Sequence, residues 1–269
     1  MIDEVAARVC ASPRYRHVDP VMVARLSAEE APRARNADDA VKRVKRRLHQ
    51  AIGAFRPGSQ ARQDLTALRA AWKGDLDHAA IRDACRALLA AHASTAERID
   101  HLETFYAGIW AAVGATPQTL LDLGCGLGPL ALPWMRLAPT ARYVAVDVDR
   151  RALGTVDAFL NLVGQPHAVE ARDLGAGPPD TDADVALLLK LVPTLDRQDL
   201  TAAARVLKGV RLRHAAISFP RRSLGGRSKG MERTYRERLT RLAAETGFKV
   251  VAEASVPNEL VFVLEPGGG

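Results

Sequence analysis

The stretch Leu120–Pro129, with the sequence LLDLGCGLGP, decides the fold of this chain. An apolar run ends in three glycines at alternate positions, Gly124, Gly126 and Gly128, and a helical pattern follows. Glycine lets the backbone turn tightly and approach a bound molecule closely. In open α/β sheets, a strand–turn–helix unit of this kind lies where nucleotide-type ligands bind. The stretch therefore predicts the first strand of a parallel sheet, with a ligand site at its carboxyl end.

The spacing of the glycines narrows the kind of ligand. It reads Asp-x-Gly-x-Gly-x-Gly from Asp122, whereas a dinucleotide fingerprint reads GxGxxG, with its third glycine one position later. The tighter spacing, with an acid two residues before the first glycine, resembles the first motif of S-adenosylmethionine enzymes. A plain structural turn is the alternative.

Two acids after the glycines are candidate ligand contacts. Asp147 ends the second apolar run, about twenty residues on, where a carboxylate can accept both hydroxyls of a ribose. Asp147 alone does not distinguish a site for a methionine-derived cofactor from a site for a nicotinamide cofactor. Asp149 is expected to cap the next helix. Asp173 follows the third run and can accept an adenine amino group while Leu174 packs on the ring; a solvated loop acid is the alternative.

From about Gly114 onward, short apolar runs alternate with helical patterns. The predicted strands are Thr119–Leu123, Tyr143–Asp147, Ala168–Ala171, Val185–Leu191, His214–Phe219, Lys249–Ala254 and Leu260–Leu264. The predicted helices are Leu127–Leu137, Arg150–Val163, Arg197–Leu207 and Met231–Thr246. This alternation indicates a parallel sheet covered on both faces, and the short last connection indicates an antiparallel hairpin. A mostly parallel seven-stranded, Rossmann-like α/β sheet ending in a hairpin resembles the class I methyltransferase fold.

The first part of the chain carries helical patterns and almost no strand patterns. Predicted helices run from a cap at Asp19 to Glu30, from a cap at Asn36 to Phe55, and over Gln60–Trp72, Leu76–Ala91 and Ser94–Val113. Ser94 and Glu97 have the spacing of a capping box. The sequence therefore predicts a helical N-terminal domain over residues 1–113 and a ligand-binding domain over residues 114–269.

Composition limits the classes of protein that fit. The 269 residues are 48% hydrophobic, which favours a packed globular protein. Cys10, Cys85 and Cys125 are far apart and predict neither a disulfide framework nor a metal site, so a reducing cytoplasm is expected. The first ten residues lack the charge pattern of a signal peptide, and no apolar run reaches the ~20 residues of a membrane span. A net charge of +7 favours a polyanionic partner.

Four further stretches carry a more specific resemblance. They are Lys42–Phe55 (KRVKRRLHQAIGAF), His92–Arg98 (HASTAER), Val185–Gln198 (VALLLKLVPTLDRQ) and Ile217–Glu232 (ISFPRRSLGGRSKGME). With the glycine turn, they span nearly the whole chain. The chain resembles the aminoglycoside-resistance methyltransferases that modify N7 of guanine 1405 in 16S rRNA. The resemblance implies S-adenosylmethionine as cofactor and the decoding region of the 30S subunit as partner.

The resemblance also implies roles for individual residues. Those assigned to the cofactor are Arg98, Gly124, Gly126, Asp147, Asp173 and Leu174. Arg98 would pair with the cofactor carboxylate, which suits a guanidinium fork. Lys190, just past the fourth strand, and Asp196, where the resemblance leads us to expect a glutamate, would lie at the catalytic end. Guanine N7 carries no proton, so no general base is expected.

Two basic stretches are predicted to contact RNA phosphates, which give affinity rather than sequence choice. The assigned residues are Lys42, Lys45 and Arg46 on a helix, and Arg221, Arg227 and Lys229 after the fifth strand. Solvated surface charge is the alternative for each of them. The competing functions are methylation of another rRNA or tRNA base, a non-catalytic ribosome assembly factor, and a nicotinamide-dependent reductase.

Overall fold

The computed structural model describes residues 1–52, 65–90, 93–221, 231–254, 256 and 259–267. Its strands are β1 Thr119–Leu123, β2 Arg142–Asp147, β3 His167–Ala171, β4 Ala183–Leu189, β5 Leu212–Pro220, β6 Phe248–Ala254 and β7 Glu259–Pro266. They form one sheet in the order β3-β2-β1-β4-β5-β7-β6. Strands β1 to β5 are parallel, whereas β7 pairs antiparallel with both β5 and β6. The predicted class I methyltransferase sheet and its terminal hairpin are confirmed.

The order in which the chain adds strands reverses at β1, and this reversal determines where the ligand site lies. From β1 the chain moves outward on one side to β2 and β3, and then crosses to β4 on the other side of β1. Leu120, Leu121 and Leu123 of β1 have no exposed surface, as expected for a central parallel strand covered on both faces. Ligands of open α/β sheets bind in the crevice at the carboxyl ends of the strands beside such a switch point.

Helices cover the sheet and form the N-terminal region. They are α1 Ile2–Cys10, α2 Pro20–Glu30, α3 Ala37–Ile52, α4 Leu65–Ala71, α5 Ala79–Ala90, α6 Ala93–Ala96, α7 Leu102–Val113, α8 Leu132–Met135, α9 Arg150–Val163, α10 Val192–Asp196, α11 Ala202–Gly209 and α12 Met231–Thr246. The predicted caps at Asp19 and Asp149 are confirmed, because their carboxylates accept from the amides of Val21 at 3.1 Å and Arg151 at 3.1 Å. Across the described part of the chain, no helix is long and apolar enough to cross a bilayer.

Three predicted helices are wrong in their continuity. Leu127–Leu137 is a 3-10 turn over Gly128–Ala131 followed by the one-turn helix α8, and each piece contains a proline near its start. Proline removes a backbone donor, which favours short pieces over one long helix. Arg197–Leu207 is interrupted before α11, where Asp199 accepts from the amide of Thr201 at 2.8 Å.

The predicted helix Ser94–Val113 is also broken. It contains α6, a 3-10 turn over Ile99–His101 and α7. The predicted capping box is wrong: Ser94 lies within α6, and the carboxylate of Glu97 bonds to Lys190 instead of the helix start. A long-range ion pair thus replaces the local cap.

Within the described ranges, three apolar clusters hold these elements together. Helices α4, α5, α7 and α9 pack on one face of the sheet, and α10, α11 and α12 pack on the other. Helices α1, α2 and α3 form a separate core around Val23, Leu26, Val44 and Leu48. The packing therefore groups α4, α5 and α7 with the sheet, whereas the sequence assigns them to a domain with α1 to α3.

Backbone bonds hold the N-terminal helices at the carboxyl end of β2. The amide of Asp19 donates to the carbonyl of Val148 at 2.8 Å, and the amide of Arg150 donates to the carbonyl of His17 at 2.9 Å. Val18 and Asp149 form an isolated antiparallel bridge. Helix α2 begins directly after this connection, so its first turns lie beside the predicted ligand site.

Candidate active site

A cavity of about 820 Å³, part of it open to solvent, lies at the carboxyl ends of β1, β2 and β4. Its lining comes from both ends of the chain. The sheet side contributes Gly124, Gly126, Asp147, Asp173, Leu174, Lys190 and Leu191, among others, and the N-terminal helices contribute Met22, Ala51 and Ile52. Five of the six residues predicted to hold the cofactor therefore line one cavity.

The glycine turn forms the floor of the cavity. Gly124 and Gly126 have φ angles of +67° and +52°, which L side chains rarely adopt. A Cβ at Gly124 would lie 2.8 Å from Cδ1 of Leu191, so the turn also packs too closely for a side chain. The amide of Gly124 donates to the carbonyl of Val146 at 2.8 Å, which fixes the turn to the end of β2. The turn requires glycine for both conformation and space.

Asp147 lies at the end of β2, beside the turn. Its two carboxylate oxygens accept from the amides of Gly126 and Asp149, each at 2.8 Å. Burial raises its pKa, although the same amides act in the opposite direction. Each oxygen keeps further lone-pair capacity, so the carboxylate is oriented by the backbone and remains able to accept from two hydroxyls.

Asp173 and Leu174 form the opposite end of the cavity, and both are buried. Asp173 accepts from Arg25 through both oxygens, at 2.6 Å from Nε and 3.2 Å from Nη2, and from the amide of Gly175 at 2.9 Å. The alternative of a solvated loop acid is therefore wrong. Arg25 belongs to α2, and the sequence analysis did not select it.

Arg98 and Lys190 meet at a buried glutamate on β7. Glu259 accepts from Arg98 at 2.5 Å and 2.9 Å, lies 3.3 Å from Nζ of Lys190, and accepts from the hydroxyl of Ser218 at 2.6 Å. Burial opposes ionisation of Glu259, but Arg98 and Lys190 outweigh it and hold its pKa below the usual value. Lys190 lines the cavity, whereas Arg98 lies behind it.

Lys190 has an unusual backbone conformation. Its φ is +58°, which is uncommon outside glycine and occurs often at functional sites. Its amide lies 3.0 Å from Oγ of Ser218, and its ammonium donates to the carbonyl of Ser94 at 3.2 Å and to the carboxylate of Glu97. The end of β4 therefore holds a buried lysine whose charge is offset by two carboxylates.

Glu259 is the main site residue that the sequence analysis missed. The available signal was a lone acid at the start of the apolar run LVFVL, where a charge is costly to bury without a partner. Arg25 gave no such signal, because it is one arginine among several on the N-terminal helices.

Asp196 lies at the end of α10 and outside the cavity lining. Its carboxylate binds Arg238 of α12 through two bonds of 2.8 Å. This pairing gives no support to a catalytic contact by Asp196, which remains a prediction. The fold brings Arg238 to Asp196 from 42 residues away along the chain, a pairing that the sequence does not reveal.

The predicted RNA contacts fall into three groups. Lys42 and Arg46 of α3 are exposed and Lys45 is half-buried, while the neighbouring Arg43 and Arg47 are paired with acids. Arg221 is exposed and donates to the carbonyl of Glu259 at 3.1 Å. The other two residues, Arg227 and Lys229, lie outside the described residues.

The chemistry that this arrangement supports follows from its polar groups. Carboxylates at the ends of β2 and β3 can accept from hydroxyl and amino groups, and cations at the end of β4 can hold a carboxylate or phosphate. Among the described residues that line the cavity there is no histidine or cysteine, and the described ranges contain no group of acids, histidines or cysteines placed to hold a metal ion.

Comparison with known proteins identifies the family. A family model described as ribosomal RNA methyltransferase (FmrO) matches residues 11–263. The chain is 39% identical over 271 residues to a 16S rRNA (guanine(1405)-N(7))-methyltransferase of Micromonospora echinospora, covering 98% of the chain and 96% of that protein. A protein of the same name from Micromonospora rosea is 38% identical over 266 residues, with the same coverage. The crystal structure of 16S rRNA methyltransferase RmtF with S-adenosyl-L-homocysteine matches with a TM-score of 0.83 at 31% identity, covering 98% of both chains. The chain therefore belongs to the FmrO family of ribosomal RNA methyltransferases.

Proposed function

We propose that this protein transfers a methyl group from S-adenosylmethionine to N7 of guanine 1405 in 16S rRNA, and that the modification confers resistance to aminoglycosides. The observation that carries the proposal is the 39% identity, over nearly the full length of both chains, to an enzyme named for this reaction. The cavity supports it independently, because its polar groups suit an adenosyl ligand at the switch point of the sheet.

The proposed cofactor fits the donors and acceptors of the cavity. Gly124 and Gly126 line the cavity at the turn, where the methionine portion would lie, and Asp147 accepts from the ribose hydroxyls. Asp173 accepts from the adenine amino group, while Leu174 packs on the ring. The pairing of Arg98 with the methionine carboxylate stays a prediction, because Arg98 is bound to Glu259 and lies outside the cavity lining. When bound, S-adenosylmethionine supplies an electrophilic methyl group on a sulfonium.

The proposed reaction needs no proton transfer. Guanine N7 presents an in-plane lone pair and carries no proton, so the protein does not have to remove one. The contribution of the chain is to position the base and to exclude water, which are recognised sources of rate enhancement.

We propose that Lys190 lies where the target base enters the cavity. Methylation at N7 leaves a positive charge on the ring, which an uncompensated lysine would oppose. Here Glu97 and Glu259 offset the ammonium charge, so the lysine can contact a phosphate or guanine O6 without opposing the product. Its ammonium already has three partners, so such a contact would replace one of them.

The partner is proposed to be the decoding region of the 30S subunit. The exposed side chains of Lys42 and Arg46 form a positive face on α3, and Lys45 lies beside them. Side chains of this kind bind phosphates with little sequence choice. Site selection would then come from the folded shape of the subunit. In this proposal, residues 1–113 serve as the docking region.

The decisive experiment measures transfer of labelled methyl from S-adenosylmethionine to purified 30S subunits and to naked 16S rRNA, and maps the modified base by N7-dependent strand cleavage. We expect one modified guanine, at position 1405, in intact subunits. The matched control is Asp147→Ala, which removes the ribose acceptor. Growth of an expressing strain in graded aminoglycoside then tests resistance. Cofactor binding without transfer to either RNA would contradict the proposal and favour a tRNA substrate or an assembly role.

A further inference from the structure

One side chain of the N-terminal helices reaches the cavity wall and donates four hydrogen bonds. Arg25 of α2 donates to Asp173 through Nε and Nη2, to Gln198 Oε1 through Nη2 at 3.0 Å, and to Glu29 through Nη1 at 2.8 Å. Asp173 and Gln198 both line the cavity. We name Arg25, Asp173 and Gln198 the Arg25 bridge.

The backbone beside the Arg25 bridge leaves space for this contact. A Cβ placed on Gly175 would lie 2.6 Å from Nη2 of Arg25 and 3.0 Å from Oδ1 of Asp173. Any other residue at this position would therefore push the guanidinium away from the carboxylate. The amide of Gly175 also donates to Oδ1 of Asp173. Arg25 and the amide of Gly175 thus donate to Asp173 from two directions, and together they fix the plane of its buried carboxylate.

We propose that Arg25 is a positioning residue of the cofactor site, which orients Asp173 to accept from the six-amino group of the adenine ring. This rests on the proposed function only in taking an adenosyl ligand. The carboxylate has two oxygens and about four acceptor positions, of which Arg25 and Gly175 occupy three. The Arg25 bridge then sets the direction in which the remaining acceptor position of Asp173 points. Through Arg25, the N-terminal helices complete the end of the cavity that selects the base.

The physical reason is pre-organisation. A carboxylate on a free rotor must lose rotational freedom when it binds a donor, whereas a carboxylate held by a bidentate arginine has already lost it. The fixed carboxylate favours a ligand with a hydrogen-bond donor at position six of the purine ring and disfavours a ligand with a carbonyl at that position. Arg25 therefore acts on base selectivity as well as on affinity.

The test compares two probes that differ at that position, S-adenosyl-L-homocysteine and S-inosyl-L-homocysteine, by calorimetric titration of the full-length protein. The variants are Arg25→Ala, Arg25→Lys and Gly175→Ala. Arg33→Ala is the matched control, because Arg33 follows α2 and its side chain is largely exposed. Thermal melts of each variant establish that it is folded. No RNA is present, so failure of methyl transfer and failure of this proposal are distinguishable.

We expect Arg25→Ala to bind the adenosyl probe roughly tenfold more weakly, as for loss of a charged hydrogen-bond partner, and to lose most of the preference over the inosyl probe. Gly175→Ala should lower the preference for the adenosyl probe over the inosyl probe without removing a charge. Arg25→Lys should retain part of this preference, and Arg33→Ala should retain all of it. An unchanged preference in Arg25→Ala, or an equal loss of affinity for both probes, would overturn the proposal. If Arg25→Ala does not fold, an unchanged preference in both Arg25→Lys and Gly175→Ala overturns it.

Discussion

Replacement of Glu259 by glutamine tests the buried network at the end of β4 most directly. The side chain of Glu259 has no exposed surface, and those of Arg98 and Lys190 are also buried. Glutamine has nearly the same shape but no charge. The change removes the carboxylate that pairs with Arg98, whereas Lys190 keeps Glu97.

The size of the effect follows from the cost of an unpaired buried charge. Removing one partner of a buried ion pair costs about 3–5 kcal/mol. Domains have a total free energy of unfolding of roughly 5–15 kcal/mol, so this loss is a substantial fraction of the whole. At about 2–4 °C per kcal/mol for a chain of this size, the melting temperature of Glu259→Gln should fall by roughly 6–20 °C.

The assay is urea denaturation of the wild type and Glu259→Gln, with Glu253→Gln as the matched control. Glu253 is on the neighbouring strand β6 and pairs with Arg236 at 2.7 Å, but both side chains of this pair are about 40% exposed. An exposed pair contributes at most about 1 kcal/mol, so the control should lose little. Equal, small losses in both variants would refute the reasoning.

The pH dependence gives a second check on the same variant. The network lowers the pKa of Glu259, so its stabilising contribution is present above the unfolded pKa of about 4.3 and is lost as pH falls through the lower folded value. The wild type and Glu259→Gln should differ fully at pH 7, and the difference should begin to shrink once the pH falls below the unfolded pKa of about 4.3. The charge-free double variant Arg98→Met, Glu259→Leu should recover stability, because it leaves no arginine charge to compensate, but it should not recover cofactor affinity.

Three further perturbations test other parts of the site. Asp147→Ala should weaken S-adenosyl-L-homocysteine binding at least tenfold, because the ribose loses its acceptor; unchanged calorimetric affinity would contradict that role. Burial raises the pKa of Asp122 to about 7, so the folded protein binds more protons than the unfolded chain between about pH 4 and pH 7. Stability should therefore fall as pH rises through that window, and Asp122→Asn should flatten the fall in urea titrations. Replacing Lys42, Lys45 and Arg46 together by glutamate should weaken 30S binding and reduce its salt dependence, with each lost phosphate contact lowering the slope by about one. A filter-binding salt series that matches the wild type would exclude this face as an RNA contact.

The sequence by itself determined the sheet, the glycine turn and the acids at the strand ends. These features depend on local patterns: apolar runs define parallel strands, glycine permits the positive φ angles of the turn, and Asp147 is placed by its position at the end of β2. The predicted capping box of Ser94 and Glu97 failed because a local pattern competed with a distant contact. Glu97 had the spacing of a cap, but its carboxylate meets Lys190, 93 residues away.

Only the tertiary structure decided which charges meet. Glu259 joins Arg98 across 161 residues, Arg25 reaches Asp173 across 148, and Arg238 binds Asp196 across 42. An ion pair depends on the distance and burial of its two groups, and neither quantity is encoded in the spacing of residues along the chain. The sequence therefore identified the residues that face the ligand, whereas the fold selected the partners that hold them in place.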